Sequence, residues 1–279
     1  MDRDGGLARW LITSEHTLRQ LSMQLEIVGG AFKALETLHL LESYEGAHAL
    51  PYGREGGLMR LTSRIAGGLE SAAELDGIIS LIDPLDPSSL YPEAQALKRQ
   101  CVIHGKPFVG TVAGAVEWLE VEAYEAGHIE RLGGAGSLAK PIDQTGIALI
   151  AHDALKTTMV EYASRHFCLL SLAKHRVGTG TTSRLLNEMA WTKGWPRDQD
   201  WVQPFRSGPL GGDAQIAELI LDGLCQKVIF FEDVHVARQH EADIQLLERA
   251  VYTATYSTSC INTVAMADAW ARAWSSALS

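Results

Sequence analysis

Short apolar segments alternate with helix-length stretches along the whole chain, and this alternation constrains the fold more than any other feature. Ala148-Leu149-Ile150-Ala151, Ile78-Ile79-Ser80-Leu81-Ile82-Asp83 and Phe108-Val109-Gly110-Thr111-Val112 have the length and content of buried strands. Glu93 to Gln100, the run from Val116 and the spacing of Ile216, Leu219 and Ile220 fit helices. Trp10-Leu11-Ile12-Thr13 reads as the first strand, followed by one long helical stretch through Leu40. The order predicts an α/β chain with mainly parallel sheets.

The order then starts again after a linker. The Gly-Gly-Ala-Gly-Ser segment between Leu132 and Gly146 divides the chain into residues 1–131 and 147–279, with 132–146 between them. Tyr52 to Leu58 falls on Ser207 to Asp213 without a gap, Gly68-Leu69 on Gly223-Leu224, Asp83 on Asp233, Glu93 on Asp243 and Thr111 on Thr263. Trp10 to Glu15 falls on Ala148 to Asp153 in the same alignment. A tandem duplication is the expectation. Polar residues of the second half are replaced in the first: Asp213 by Leu58, His152 by Ser14, Lys156 by Leu18 and His240 by Leu90. The helix and loop between Gly180 and Gly208 face only the short turn from Gly46 to Gly53. Chemistry therefore belongs to the second half.

Composition narrows the partners. The 279 residues carry a formal net charge of −10, which argues against nucleic acid and anionic membranes. No apolar stretch is long enough to span a bilayer and the first residues lack a signal-peptide pattern, so a cytoplasmic protein is expected. Cys101, Cys168, Cys225 and Cys260 form no paired motif and read as free thiols.

Four segments of the second half carry candidate chemistry. Ser207-Gly208-Pro209-Leu210-Gly211-Gly212-Asp213 is a tight turn into a helix, where unpaired amides suit an anion. Asp213 is then either a proton acceptor beside a bound phosphate or a helix cap. Ala151-His152-Asp153-Ala154-Leu155-Lys156 follows a buried strand, where open α/β sheets bind ligands. Lys156 supplies charge there, and His152 is a phosphate donor or a structural histidine. Gly178-Thr179-Gly180-Thr181-Thr182-Ser183-Arg184 is a turn into a helix near Leu185, with hydroxyls that suit phosphate and no Walker lysine. Phe230 to Asp243 holds His235, His240 and four acids, among them Asp233 and Asp243. Zinc or manganese ligation is one reading of that loop, although its spacing matches no metal motif. The other makes His240 an acid–base group and Asp233 a loop cap.

These motifs together, from Ile147 to Trp270, resemble the methylglyoxal synthase family. The matching residues are Ala-His-Asp at 151–153 with Lys156, Thr-Gly-Thr-Thr at 179–182, Ser-Gly-Pro-Leu-Gly-Gly-Asp at 207–213, Phe-Phe-Glu-Asp at 230–233, and His240 with Asp243. Ser183 and Val234 stand where the family usually has Gly and Pro. The resemblance implies a tandem pair of flavodoxin-like three-layer domains. It implies a lyase that converts dihydroxyacetone phosphate to methylglyoxal and inorganic phosphate with no metal or organic cofactor. Asp213 would be the base, Asp243 a second carboxylate and His240 the electrophile. His152, Lys156, Thr179, Gly180, Thr181, Thr182, Ser207 and Gly208 would hold the substrate phosphate. It also implies a homo-oligomer, a trimer or hexamer, with phosphate as product and inhibitor. The rival reading is a non-catalytic sensor of phosphorylated metabolites, like the regulatory domain of carbamoyl-phosphate synthetase.

Overall fold

A computed structural model of the chain describes residues 5–69, 74–84, 86, 91–134, 137–235 and 241–278. The first half runs α1 (Gly6–Gln20), β1 (Leu25–Val28), α2 (Gly29–Thr37), β2 (Ala47–Leu50), a 3-10 turn at Gly53–Glu55, α3 (Gly57–Ile65), β3 (Ile78–Ile79), α4 (Pro92–Ile103), β4 (Phe108–Val109) and α5 (Val112–Glu125). The second half runs β5 (Gly146–Ala151), α6 (Lys156–Arg165), α7 (Phe167–Ser171), β6 (His175–Thr179), α8 (Gly180–Thr192), β7 (Gln203–Phe205), a 3-10 turn at Gly208–Leu210, α9 (Gly212–Leu221), β8 (Lys227–Phe231), α10 (Glu241–Thr253), β9 (Ser259–Ile261) and α11 (Val264–Ala277).

The five strands of the second half form one all-parallel sheet in the order β7-β6-β5-β8-β9. β5 is central and buried along its whole length, which is why its sequence is a continuous apolar run. Its side chains alternate between two layers. Ala148 and Ile150 join Ile216 and Ile220 of α9 and Ile244 and Leu247 of α10. Ile147, Leu149 and Ala151 face Met159 of α6, Leu186 of α8 and Trp270 of α11 on the other side. This is the expected three-layer α/β class. The chain steps outward from β5 to β7 and returns to β8, so the sheet's crevice opens beyond the carboxyl ends of β5 and β8.

The first half departs from the sequence reading at its start. Trp10-Leu11-Ile12-Thr13 lies inside α1, where Trp10, Leu11, Ser14 and Leu18 make the buried stripe of an amphipathic helix. A four-residue apolar run is ambiguous between strand and helix, and here Leu18, at helical spacing from Leu11 and Ser14, decides it. The expected long helix through Leu40 is two helices separated by β1. The pairing of Trp10 to Glu15 with Ala148 to Asp153 therefore fails, and with it the comparisons of His152 with Ser14 and of Lys156 with Leu18. Nor is the helix after Gly180 missing from the first half, because α2 and β2 stand in the places of α8 and β7.

From α1 onward the elements of the two halves follow one order, and local geometry agrees. Gly56 and Gly211 precede α3 and α9 with φ of 93° and 95°, a left-handed conformation that favours glycine. Thr111 and Thr263 cap α5 and α11 through side chains that accept the Gly114 and Met266 N–H groups. One element differs. Before α1 the described residues hold no strand like β5, and the first half's strands form two separate parallel pairs, β1-β2 and β3-β4. Those pairs are what the order β7-β6-β5-β8-β9 leaves when its middle strand is removed.

The halves share a core and a polar seam. Trp10, Leu18, Val112, Leu119 and Val121 pack in one cluster with Ile229, Ile261, Trp270 and Trp274. The Ala113 and Val112 N–H groups donate to the carbonyl and hydroxyl of Thr255 at 2.8 and 3.0 Å. Glu117 of α5 is buried against Lys227, and it accepts from Ser259 at 3.0 Å and from the Trp270 indole at 2.8 Å.

Candidate active site

Close contacts join the four candidate segments in two pairs, His152 with the stretch after β8 and Gly180 with Ser207. His152 leaves β5 with its N–H on the Phe231 carbonyl at 3.1 Å, and its Nδ1 accepts the Asp233 N–H at 2.9 Å. In the neutral ring this fixes the proton on Nε2, so the other edge of the imidazole is a donor. The ring stacks edge-on to Phe230 at 4.8 Å and is buried, which holds its orientation. Asp233 in turn accepts the His235 N–H at 3.0 Å, the loop-capping role expected for it.

The threonine segment lies closer to its helix than expected. α8 begins at Gly180 and not near Leu185, so Thr181, Thr182 and Ser183 form its first turn and their amides lie among the free N–H groups of the helix start. Thr179 is the residue before the helix and is buried, and Thr182 is buried with Ser183 behind it. The Thr182 and Ser183 hydroxyls make no hydrogen bond among the described residues. A buried hydroxyl without a partner is costly in a finished structure and inexpensive where a ligand satisfies it. Thr181 is exposed at the mouth.

The third segment is brought directly onto the second. A Cβ on Gly180 would stand 2.8 Å from the Ser207 Cα and Cβ, so the two turns approach as closely as backbone allows. From Ser207 the 3-10 turn carries the chain to α9, and Asp213 sits in the first turn of that helix, 4% exposed. Its carboxylate lies over Gly208, where a Cβ would meet Oδ2 at 2.6 Å. The position that caps α9 is Gly211, which has no side chain, so Asp213 lies inside the helix and not at its cap. Lys156 opens α6 near the same strand end and pairs with the exposed Asp153 at 2.6 Å. Asp243 lies half-buried in the first turn of α10, the helix that packs along α9, so the helices bearing the two carboxylates are neighbours. His240 lies outside the described residues, as does its first-half counterpart Leu90.

One group near this crevice has no counterpart in the sequence reading. Lys98 of α4, in the first half, contacts Glu232 at 2.9 Å and also pairs with Glu248 of α10. Asn262 donates to the same Glu232. Burial favours the neutral amine, but the Glu232 and Glu248 carboxylates outweigh it and hold the Lys98 ammonium well above the ordinary lysine value. A lysine in an amphipathic helix more than 130 residues away gives no local signal of such a contact.

The comparisons with known proteins point one way. No family model matches the chain. It is 38% identical over 104 residues to a methylglyoxal synthase of Oceanobacillus iheyensis, covering 37% of this chain and 67% of that protein. It is 41% identical over 104 residues to one of Treponema socranskii, of whose length it spans 63%. With one of Cupriavidus pinatubonensis it shares 38% identity over 123 residues, which are 44% of this chain and 85% of that protein. A crystal structure of methylglyoxal synthase from Elizabethkingia anophelis aligns with 32% identity over 45% of this chain and 76% of that one, at a TM-score of 0.37. The chain belongs to the methylglyoxal synthase family of enzymes.

Proposed function

We propose that the second half, residues 147–279, converts dihydroxyacetone phosphate to methylglyoxal and inorganic phosphate. The observation that carries this reading is the placement of Asp213. A buried carboxylate lies over Gly208, in the turn that Gly180 meets at Ser207, and the Thr182 and Ser183 hydroxyls of the helix that Gly180 opens make no hydrogen bond among the described residues. An acid at the edge of an anion cradle is unfavourable unless it takes a proton from what the cradle holds.

The chemistry follows from that arrangement. The amides and hydroxyls of Thr179, Gly180, Thr181, Thr182, Ser207 and Gly208, with the Lys156 ammonium and the His152 Nε2–H, hold the phosphate. Asp213 removes a proton from the hydroxymethyl carbon, and the electron pair moves onto the carbonyl oxygen to give an enediolate. His240 donates to the carbonyl and hydroxyl oxygens, where charge develops, and Asp243 supplies a second carboxylate beside the base. The carbon–oxygen bond to phosphate then breaks with its electron pair on the leaving oxygen. The enol that remains ketonises to methylglyoxal, so one substrate gives two products and no water is consumed.

The first half, residues 1–131, is in this reading a degenerate copy joined through residues 132–146. Where α8 begins with Thr179-Gly180-Thr181-Thr182, α2 begins with Val28-Gly29-Gly30-Ala31, and Leu58 replaces Asp213. The hydroxyls and the base are both lost there. The test is the purified chain with dihydroxyacetone phosphate, following methylglyoxal and phosphate together, beside Asp213→Asn. Equal release of both, reduced roughly 100- to 10,000-fold in the variant, is the expected result. Binding of phosphate with neither product would instead make the chain a sensor.

A further inference from the structure

The first half touches the reacting end of the second through two adjacent residues of α4. Lys98 contacts Glu232 at 2.9 Å and pairs with Glu248, the one immediately after β8 and the other in α10. Arg99 donates from Nε to the Val234 carbonyl at 3.1 Å. Between these contacts lies Asp233, whose N–H sets the His152 ring. The same helix that holds Glu248 carries Asp243 in its first turn. Glu232 is also held by Asn262, just beyond β9, so its carboxylate is fixed from both sides. Among the described residues α4 thus grips the stretch after β8 at two points and α10 at a third.

We propose that Lys98 and Arg99 are positioning residues, through which the first half holds Asp233 and Asp243 in register with the catalytic crevice. This rests on the methylglyoxal synthase reading of that crevice. It gives the half that lost its own site a function in the site of the other. The alternative, that Lys98 and Arg99 only glue two halves together, would place their effect on stability and not on turnover. Of the groups that hold the phosphate only His152 is set by a residue that α4 grips, whereas α8, the Ser207–Leu210 turn and Lys156 carry the rest, so turnover falls further than phosphate binding if Lys98 and Arg99 position the acid–base side.

The test uses the full chain as Arg99→Ala, Lys98→Met and Lys98→Arg, with Arg272→Ala as a control. Arg272 makes an exposed cross-half ion pair with Glu125 at 3.8 Å, away from the crevice. Arg99 is exposed, so its variant folds even if Lys98→Met does not. The expected result is a kcat lowered about tenfold in Arg99→Ala and up to about 100-fold in Lys98→Met, since small misplacements of reacting groups cost rates of this order. KM and the affinity for inorganic phosphate change by about threefold at most, the share that passes through His152, Lys98→Arg recovers most of the rate, and Arg272→Ala keeps its kcat. Backbone hydrogen exchange over residues 231–235 and 241–248 becomes faster in the two disrupting variants. Unchanged kcat and exchange in folded variants, or kcat and phosphate affinity falling by the same factor, would overturn the proposal. If the wild-type chain makes no methylglyoxal, the enzyme reading fails, and exchange over the same residues still decides whether α4 holds them.

Discussion

Two glycines do the most specific work at the residue scale. Gly180 lets the threonine turn meet Ser207, and Gly208 leaves room for the carboxylate of Asp213. In Gly208→Ala the new methyl stands 2.6 Å from Oδ2 and 3.3 Å from the carboxyl carbon, so either the turn or the Asp213 carboxylate must move. Because Asp213 is buried in the first turn of α9, the displacement falls on the carboxylate proposed as the base. Gly208→Ala is therefore expected to lower kcat about 100-fold while unfolding at nearly the temperature of the wild type, a pair of measurements that separates site distortion from instability. The same residue in an ordinary turn would tolerate alanine.

Strand β6 shows at the scale of an element how the sheet's far end tolerates a polar side chain. His175 opens the strand opposite Gly146 of β5, close enough that a Cβ on Gly146 would meet its Nε2 at 2.6 Å. Burial holds the imidazole below its ordinary value of 6.5, helped by Lys174 and Arg176 and opposed by its hydrogen bond to the Leu224 backbone. The folded chain then binds fewer protons than the unfolded one just below that value. Stability falls as pH drops through 6.5 toward the lowered value, and levels off below it. Urea midpoints measured from neutral pH downward should show this decline, and His175→Gln should flatten it. The threonine caps of α5 and α11 are local devices of the opposite kind, since each satisfies helix amides through its own side chain and depends on no other element.

The whole molecule is held by contacts between matching elements. α5 packs on α11 and β4 lies beside β9, so each half offers the same part of its order to the other, as subunits do in an isologous dimer. The seam is polar at its centre, where Glu117 takes Lys227, Ser259 and Trp270 at once. Removing the carboxylate leaves the buried Lys227 ammonium without its counter-charge. Glu117→Ala should therefore destabilise the chain by about 3–5 kcal/mol, seen as a shifted denaturant midpoint. Because one hydrophobic cluster runs through both halves, calorimetry of the wild type should show a single cooperative transition. Two separate transitions would show that the seam couples the halves weakly.

Sequence alone determined the class of the fold and named the candidate site residues of the second half, because both depend on local pattern, though it did not name Lys98 or Arg99. Apolar runs flanked by turns specify parallel strands, and Ser207 to Asp213 or Thr179 to Thr182 carry their chemistry in adjacent residues. It also aligned Gly56 with Gly211 and Thr111 with Thr263, whose backbone requirements are set within a few residues. It misread Trp10 to Thr13, because a four-residue apolar run fits either period and only packing against the shared core chooses. That error hid β1 and misaligned the first half's opening. Tertiary structure alone decided that Gly180 meets Ser207, that His152 is set by Asp233, and that Lys98 reaches Glu232 and Glu248. These contacts join residues far apart in the chain, and their free energy comes from burial and desolvation that exist only once the layers have closed.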